Sequence, residues 1–169
     1  MNINYKIYDN VLDDNLINNL CNYTEEKPLR EGKVGNRVNI NQKKRYDCYI
    51  TNNSLLKEID NQIYSLVYND IKVNFNKDIK FRESWKIGYY KGEEENFYNY
   101  HTDDARETKY RCLSMVLGLT DPEEYEGGIL HLKDENKFIT LQKGQLIVFK
   151  SSILHGVSAV TKGNRLVLI

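Results

Sequence analysis

Three histidines occur in the 169-residue sequence, and one of them stands close to a carboxylate. His101 and Asp103 are separated by one residue, so in an extended segment their side chains project to the same face. An imidazole and a carboxylate that converge supply two metal ligands. A second histidine would complete a 2-His-1-carboxylate face that leaves the opposite side of an octahedral iron open. A His-x-Asp triplet in an arbitrary sequence most often lies in a surface loop, so its spacing alone does not establish a site.

The third ligand has two candidates, His155 and His131. His155 follows the apolar run 146–149 and precedes the run 156–160, which predicts a strand junction near the mouth of a barrel. His131 stands between two leucines, and the alternation of a strand directs it to the opposite face from them. We prefer His155, and His131 remains the alternative.

Arg165 is a candidate anchor for a carboxylate. It lies ten residues after His155, beyond the Lys162-Gly163-Asn164 segment, which we predict to be a turn. If the strands on either side form a hairpin, Arg165 lies beside the strand that starts at His155. A guanidinium there can hold a carboxylate through two parallel hydrogen bonds. A solvent-facing arginine on a final edge strand is the simpler meaning of this position.

The elements that would position these residues change type along the chain. The first third has helical periodicity, with one helix capped by Asp13 or Asp14 and a second capped by Asn53 or Ser54 and fading near Asn74. Outside these helices we predict an edge strand over 3–8, a loop over 28–45 and a short strand over 45–50.

Short apolar or alternating runs separated by turn residues fill the second half. The runs are 85–90, 112–117, 129–132, 138–141, 146–149, 156–160 and 166–169. They predict a mainly β (α+β) fold, a double-stranded β-helix (jelly roll) with N-terminal supporting helices. We predict a single domain over 1–169, with helical support over about residues 1–80 and the jelly-roll core over about 81–169.

Composition excludes several classes of protein. Lysine plus arginine equals aspartate plus glutamate, at 24 each, which does not favour a nucleic-acid or membrane partner held by bulk charge. No stretch approaches the roughly 18 apolar residues that span a bilayer, and the opening has no signal-peptide run. Three scattered cysteines without a Cys-x-x-Cys pair predict a reducing compartment, the cytoplasm, and no thiolate zinc site.

Six segments between about Ile87 and Ile169, taken in order, resemble the Fe(II)- and 2-oxoglutarate-dependent dioxygenases, in particular their prolyl 4-hydroxylase-like branch. The segments are Tyr89-Tyr90-Lys91-Gly92, Tyr98-Asn99-Tyr100-His101-Thr102-Asp103, Arg111 to Leu119, Glu126-Gly127-Gly128-Ile129-Leu130, Lys143 to Phe149, and His155 to Arg165. The sequence departs from the family pattern by an apparent insertion, Glu93-Glu94-Glu95-Asn96, ahead of the histidine.

The resemblance implies a ligand set and a co-substrate. Fe(II) would be held by His101, Asp103 and His155, and 2-oxoglutarate would pair its far carboxylate with Arg165. Molecular oxygen would be the second co-substrate, and ascorbate would support turnover. Three further residues are candidates for the co-substrate site or substrate path: Tyr89, Tyr98 and Thr161.

The substrate is open at this stage. The resemblance favours a peptidyl residue, with proline first. The alternatives are a free amino acid or small metabolite, a cupin-like metal protein without a keto acid, and a jelly-roll binding module without catalysis. Candidate lids are the segments Gly32–Arg45 and Glu93–Tyr100. Candidate wall residues around the metal are Met115, Leu117, Leu130 and Val157.

Overall fold

Helices precede most of the strands in the computed structural model, which describes residues 3–35 and 37–169. The helices are α1 (Asp14–Glu26), α2 (Asn53–Ile63) and α3 (Asn69–Asn74). Asp13 caps α1, because its Oδ1 accepts from the backbone N–H of Leu16 at 2.8 Å. The cap of α2 is Asn52, so the prediction of Asn53 or Ser54 was wrong by at least one residue.

A π-helical turn, Tyr64–Tyr68, joins α2 to α3. Such a turn inserts one extra residue into the helical repeat, so the apolar stripe slips around the axis. Val67 is therefore buried, whereas Leu66, predicted on the same apolar face, is 56% exposed.

Fifteen strands are found in the described part of the chain. Those of the first 50 residues are β1 (Tyr5–Tyr8), β2 (Arg30–Glu31), β3 (Lys33–Val34), β4 (Arg37–Val38), β5 (Lys43–Lys44) and β6 (Tyr46–Tyr49). The others are β7 (Lys86–Lys91), β8 (Phe97–His101), β9 (Leu113–Gly118), β10 (Tyr125–Gly127), β11 (Leu130–Leu132), β12 (Lys137–Ile139), β13 (Leu146–Lys150), β14 (His155–Val157) and β15 (Val160–Leu168).

The strands form two main antiparallel sheets and one short pair. The eight-stranded sheet has the order β1-β13-β9-β15-β7-β6-β2, with β10 also paired to β15. The five-stranded sheet has the order β12-β11-β14-β8-β5, and β3 pairs with β4. This confirms the predicted jelly-roll class. The segment 28–45 is not the plain loop that we predicted, because β2 and β5 each extend one of the sheets.

One strand shows how the layers are arranged. Leu146 and Val148 of β13 pack with the helices, whereas Ile147 and Phe149 pack with Leu130 of the five-stranded sheet. The helices therefore cover the outer face of the eight-stranded sheet, and a second core lies between the sheets. Burial on both faces explains why β13 is a continuous apolar run.

The predicted turn at Lys162-Gly163-Asn164 is wrong, and the hairpin that would have depended on it is not formed in the described residues, because β15 runs straight through this segment. Gly163 has φ 65°, and a Cβ there would lie 2.1 Å from the carbonyl oxygen of Glu124, so this glycine serves a close strand approach and not a turn. Arg165 consequently belongs to the eight-stranded sheet, and His155 to the five-stranded sheet.

Among the described residues, no helix is both long and apolar enough to cross a membrane.

Candidate metal centre

His101, Asp103 and His155 lie together at the end of the five-stranded sheet. His101 and His155 are cross-strand neighbours, and one ligand atom from each of the three residues lies within 4.8 Å of the others. Asp103 Oδ1 is 3.5 Å from His101 Nε2, and its Oδ2 is 3.5 Å from His155 Nε2. Nitrogen and oxygen ligands about 2.0–2.2 Å from one divalent ion lie roughly 3 Å apart, so small shifts suffice to hold an ion.

His131, the alternative ligand, lies on the outer face of the same sheet. Its Nδ1 is 2.6 Å from the hydroxyl of Tyr100, and its ring stacks on Phe138 with centroids 4.0 Å apart. The alternation of β11 thus directs His131 away from the cluster, as the sequence indicated.

A β-bulge in β8 directs His101 toward Asp103 and His155. Between the pairs His155–His101 and Val157–Tyr98, β14 advances by two residues and β8 by three. The extra residue turns both Tyr98 and His101 inward and leaves Tyr100 exposed. Gly156 lies opposite the bulge, where a Cβ would be 3.1 Å from the carbonyl oxygen of Tyr98.

Backbone carbonyls orient both imidazoles. His101 Nδ1 lies 2.8 Å from the carbonyl of Asn99, and His155 Nδ1 lies 2.9 Å from that of Ile153. A carbonyl only accepts, so each Nδ1 carries the proton and each Nε2 offers its lone pair to the centre. Burial lowers the pKa of His155, against the opposing effect of Asp103, and keeps this ring neutral as a metal ligand must be.

Two serines position the carboxylate. Ser114 Oγ donates to Asp103 Oδ2 at 2.6 Å and lies 2.9 Å from Ser151 Oγ, while the Asp103 N–H donates to the Ser151 carbonyl at 2.8 Å. Burial alone would raise the pKa of Asp103. In their protonated forms, His101 through a hydrogen bond and His155 through its charge, together with the Ser114 hydroxyl, outweigh burial, so the pKa of Asp103 lies well below its usual range.

Arg165 approaches from the opposite sheet and is 2% exposed. Its Nη1 is buried, and within the described residues it has no hydrogen-bond partner. The guanidinium lies 5.1 Å from the ring of its cross-strand neighbour Tyr90, and Gly128 gives it room, since a Cβ there would lie 2.6 Å from Arg165 Cδ. A buried unpaired guanidinium is costly, so this arrangement suits an anion such as the carboxylate of a keto acid.

The three further predicted site residues are placed differently. Tyr98 lies in the site, with its ring stacked on that of His101 at 3.6 Å. Tyr89 pairs with Leu166 and so faces away from Arg165, and Tyr90 holds the inner position instead. Thr161 is exposed, and its hydroxyl donates to the carbonyl of Glu126 at 3.5 Å. The structure therefore brings only Tyr98 of these three to the centre.

Charged residues from the first half of the chain line the interior, and sequence reasoning missed them. Arg45 Nε donates to Asp47 Oδ1 at 2.8 Å and its Nη1 to the hydroxyl of Tyr90 at 2.9 Å, while Lys43 Nζ donates to Asp47 Oδ2 at 3.1 Å. Burial, reinforced by the charge of Arg45, lowers the pKa of Lys43 to about 7. The sequence feature that could have indicated this interior cluster is the charged residue at every second position, 43, 45 and 47. An exposed edge strand would show the same pattern, so the pattern does not distinguish the two.

Two other predictions about the surroundings need correction. Glu93–Tyr100 is not a free lid, because a 3-10 turn (Gly92–Glu94) and β8 occupy it. Of the proposed wall residues, Leu130 and Val157 lie between the sheets, but Met115 and Leu117 pack with the helices. The alternation of β9 puts these two residues on the outer face.

The class of protein follows from comparison with known families. A family model described as 2OG-Fe(II) oxygenase superfamily matches residues 85–169, half of the chain. The chain belongs to this superfamily.

Several relatives carry the name PKHD-type hydroxylase. One from Prochlorococcus marinus is 38% identical over 86 residues, which are 49% of this chain and 39% of the relative. Another from Azoarcus sp. (strain BH72) is 41% identical over 78 residues, which are 41% of this chain and 34% of the relative. The matched region thus spans well under half the length of these curated relatives.

Solved structures share the fold over nearly the whole chain. A viral collagen prolyl hydroxylase from Paramecium Bursaria Chlorella virus-1, in a 2OG complex, has a TM-score of 0.74 at 19% identity and covers 98% of this chain and 93% of its own. A Trichoplax adhaerens prolyl hydroxylase, in complex with a hypoxia inducible factor peptide fragment, has a TM-score of 0.78 at 17% identity. The match covers 98% of this chain and 81% of the Trichoplax chain.

Proposed function

We propose that this chain is an Fe(II)- and 2-oxoglutarate-dependent dioxygenase that hydroxylates a C–H bond. The observation that carries this proposal is the convergence of two sheets. One sheet presents the cluster of His101, Asp103 and His155, and the other presents the unpaired guanidinium of Arg165. A non-catalytic jelly roll has no need of either feature.

Each residue has a distinct task in this proposal. The Nε2 atoms of His101 and His155 and the ionised carboxylate of Asp103 would hold the metal. Arg165 would bind the far carboxylate of 2-oxoglutarate through two parallel hydrogen bonds. Iron held by these three residues would supply the oxidising chemistry for the keto acid and oxygen. Ascorbate is expected to support turnover by keeping the metal reduced.

A peptidyl proline is the first substrate to test. Support comes from the two structural neighbours that are prolyl hydroxylases, one of them bound to a peptide. The segment Gly32–Arg45 offers an adjacent surface, since β5 pairs with β8, the strand that carries His101. A free amino acid or small metabolite is the alternative.

We place the reaction in a reducing compartment such as the cytoplasm, on account of three free cysteines.

Succinate formation tests the reaction class. Purified protein would be incubated with Fe(II), ascorbate, oxygen and 2-oxoglutarate, with and without proline-containing peptides. Wild-type protein should form succinate, and His155→Ala and Arg165→Ala should lose at least about 90% of it, which corresponds to about 1.4 kcal/mol or more. His131→Ala, on the outer face of the five-stranded sheet, and Arg82→Ala, at the surface where it pairs with Asp60, are matched controls and should retain it. Succinate formation that survives in His155→Ala would contradict the proposal.

A further inference from the structure

The interior charges form a cluster around one carboxylate. Asp47 Oδ1 lies 2.8 Å from Arg45 Nε, and its Oδ2 lies 3.1 Å from Lys43 Nζ and 3.6 Å from Lys86 Nζ. The side chains of Lys43, Arg45 and Asp47 are at most 5% exposed. Three cations thus share one buried anion.

This cluster adjoins the proposed metal centre. The guanidinium of Arg45 lies over Gly88, where a Cβ would be 3.3 Å from Cζ, so it lies on the inner face of the eight-stranded sheet. From the other sheet the ring of Tyr98 lies 5.6 Å from Arg45 Cζ, and the same ring stacks on His101 at 3.6 Å. One aromatic ring therefore separates Arg45 from a metal ligand.

The charges that line the site do not balance. Four basic side chains face two carboxylates. They are Lys43, Arg45, Lys86 and Arg165 on one side, and Asp47 and Asp103 on the other. An excess of positive charge remains even where Lys43, with its pKa of about 7, is neutral. Fe(II) and dianionic 2-oxoglutarate would cancel each other, so loading the site leaves the excess of positive charge in place. Arg111 does not add to this excess of positive charge, because its guanidinium already forms two hydrogen bonds with the carboxylate of Glu83.

Burial of uncompensated charge is expensive unless a partner supplies the opposite sign. The low pKa of Lys43 reflects this strain, since burial and the charge of Arg45 act against its protonated form. Two hydrogen bonds fix the orientation of Arg45, from its Nε to Asp47 and from its Nη1 to the hydroxyl of Tyr90. In the described part of the chain no protein acceptor hydrogen-bonds its Nη2, so this nitrogen can donate to an anionic partner.

We propose that the acceptor substrate carries a carboxylate and that Arg45 binds it. This inference rests on the proposed function and narrows its substrate to an anionic class. The carboxylate has two sources, the α-carboxylate of a free or C-terminal amino acid and an acidic side chain within a peptide.

The test compares acids with their neutral amides. Protein loaded with Fe(II) and 2-oxoglutarate without oxygen would be titrated calorimetrically with two pairs of probes. N-acetylproline against N-acetylprolinamide presents an α-carboxylate. Acetyl-alanyl-prolyl-aspartyl amide against its asparaginyl counterpart presents an acidic side chain. In at least one pair the acid should bind about tenfold tighter or more, and the pair that does so identifies the source.

Variants of Arg45 test whether this residue causes the preference for the acid over the amide. Arg45→Gln should bring the acid-to-amide ratio close to one while the amide binds as before, and Arg45→Lys, which keeps the charge but loses the planar fork, should give an intermediate ratio. If thermal unfolding shows that Arg45→Gln does not fold, Arg45→Lys decides, and an unchanged ratio then counts against Arg45.

Three results would overturn the proposal: equal binding of acid and amide in the wild type, an acid preference that persists in Arg45→Gln, or no binding of any probe to the loaded protein. A failure of the wild type to bind Fe(II) or 2-oxoglutarate in the loading step is a separate result, which counts against the proposed function itself.

Discussion

Ser114 contacts the proposed metal ligand Asp103 without being a ligand itself. Its hydroxyl donates to one oxygen of Asp103 at 2.6 Å, and a second serine stands behind it. Partners of this kind fix the orientation of a ligating carboxylate and help to keep it ionised. The metal affinity of the site should therefore depend on this hydroxyl.

Ser114→Ala should weaken Fe(II) binding by about 10- to 100-fold, the usual effect of removing a ligand's hydrogen-bond partner. Anaerobic calorimetry with Fe(II) measures this. The exposed Ser152→Ala serves as the matched control for the loss of a serine hydroxyl. Equal affinities in Ser114→Ala and wild type would show that Asp103 does not depend on Ser114.

For single residues, the sequence predicts those roles that depend on residue type and neighbouring motifs, and not those that depend on strand register. His101, Asp103 and His155 could be proposed because a His-x-Asp pair, which is weak evidence alone, is followed by a histidine at a predicted strand junction and by Arg165 in the order of the family's motifs. Tyr90 was missed in favour of Tyr89, because which of two adjacent tyrosines faces inward depends on the register of β7 against β15.

At the scale of elements, the bulge of β8 against β14 gives the site its geometry. A regular pairing would put Tyr98 and His101, which are three residues apart, on opposite faces. The bulge places both inside, and Gly156 leaves room for it. The strand could be predicted from its sequence. The bulge could not, because it depends on the opposite strand.

Gly156→Ala should disturb this geometry. Its Cβ would meet the Tyr98 carbonyl oxygen and the Tyr100 backbone nitrogen at 3.1 and 3.2 Å, so the backbone must shift. We expect a loss of about 1–3 kcal/mol in unfolding free energy, as for other overpacking substitutions. The affinity for Fe(II) should fall together with the unfolding free energy, because the bulge determines the direction of the His101 side chain. Chemical denaturation and metal titration measure the two effects, and an unchanged value of both would contradict this role of the bulge.

Over the whole molecule, two sheets that each combine strands from distant parts of the chain bring opposite charges together. Alternation and turn residues predicted the jelly roll, and the helices that cover one sheet were visible as periodic segments. The interior cluster of Lys43, Arg45 and Asp47 was not predicted, because β5 and β6 enter the sheets through long-range pairing with β8 and β7.

This cluster couples the stability of the fold to pH. Lys43 faces Arg45, Asp47, Lys86 and Tyr98, and its pKa in the folded protein is about 7, below the ordinary value of a lysine. Between pH 7 and about 10 the unfolded chain holds a proton that folded Lys43 has released, so folding becomes more favourable as pH rises.

The unfolding free energy of wild-type protein should therefore rise with pH relative to that of Lys43→Met, by at most about 1.4 kcal/mol per pH unit. Denaturant titrations at pH 7, 8 and 9 measure the difference, and the exposed Lys57→Met controls for the loss of a lysine. A difference that stays constant over this range would contradict the depressed pKa of Lys43.

In the proposed function, His101, Asp103 and His155 from one sheet and Arg165 from the other form a single site for Fe(II) and 2-oxoglutarate. The most direct measurement is an anaerobic titration of Fe(II)-loaded protein with 2-oxoglutarate, in wild type and in Arg165→Ala. We predict that the wild type binds the keto acid only when metal is present and that Arg165→Ala binds it about 10- to 100-fold more weakly, the loss expected for a charged hydrogen-bonded pair. Metal-independent binding, or equal affinity in the variant, would contradict a single site for Fe(II) and 2-oxoglutarate.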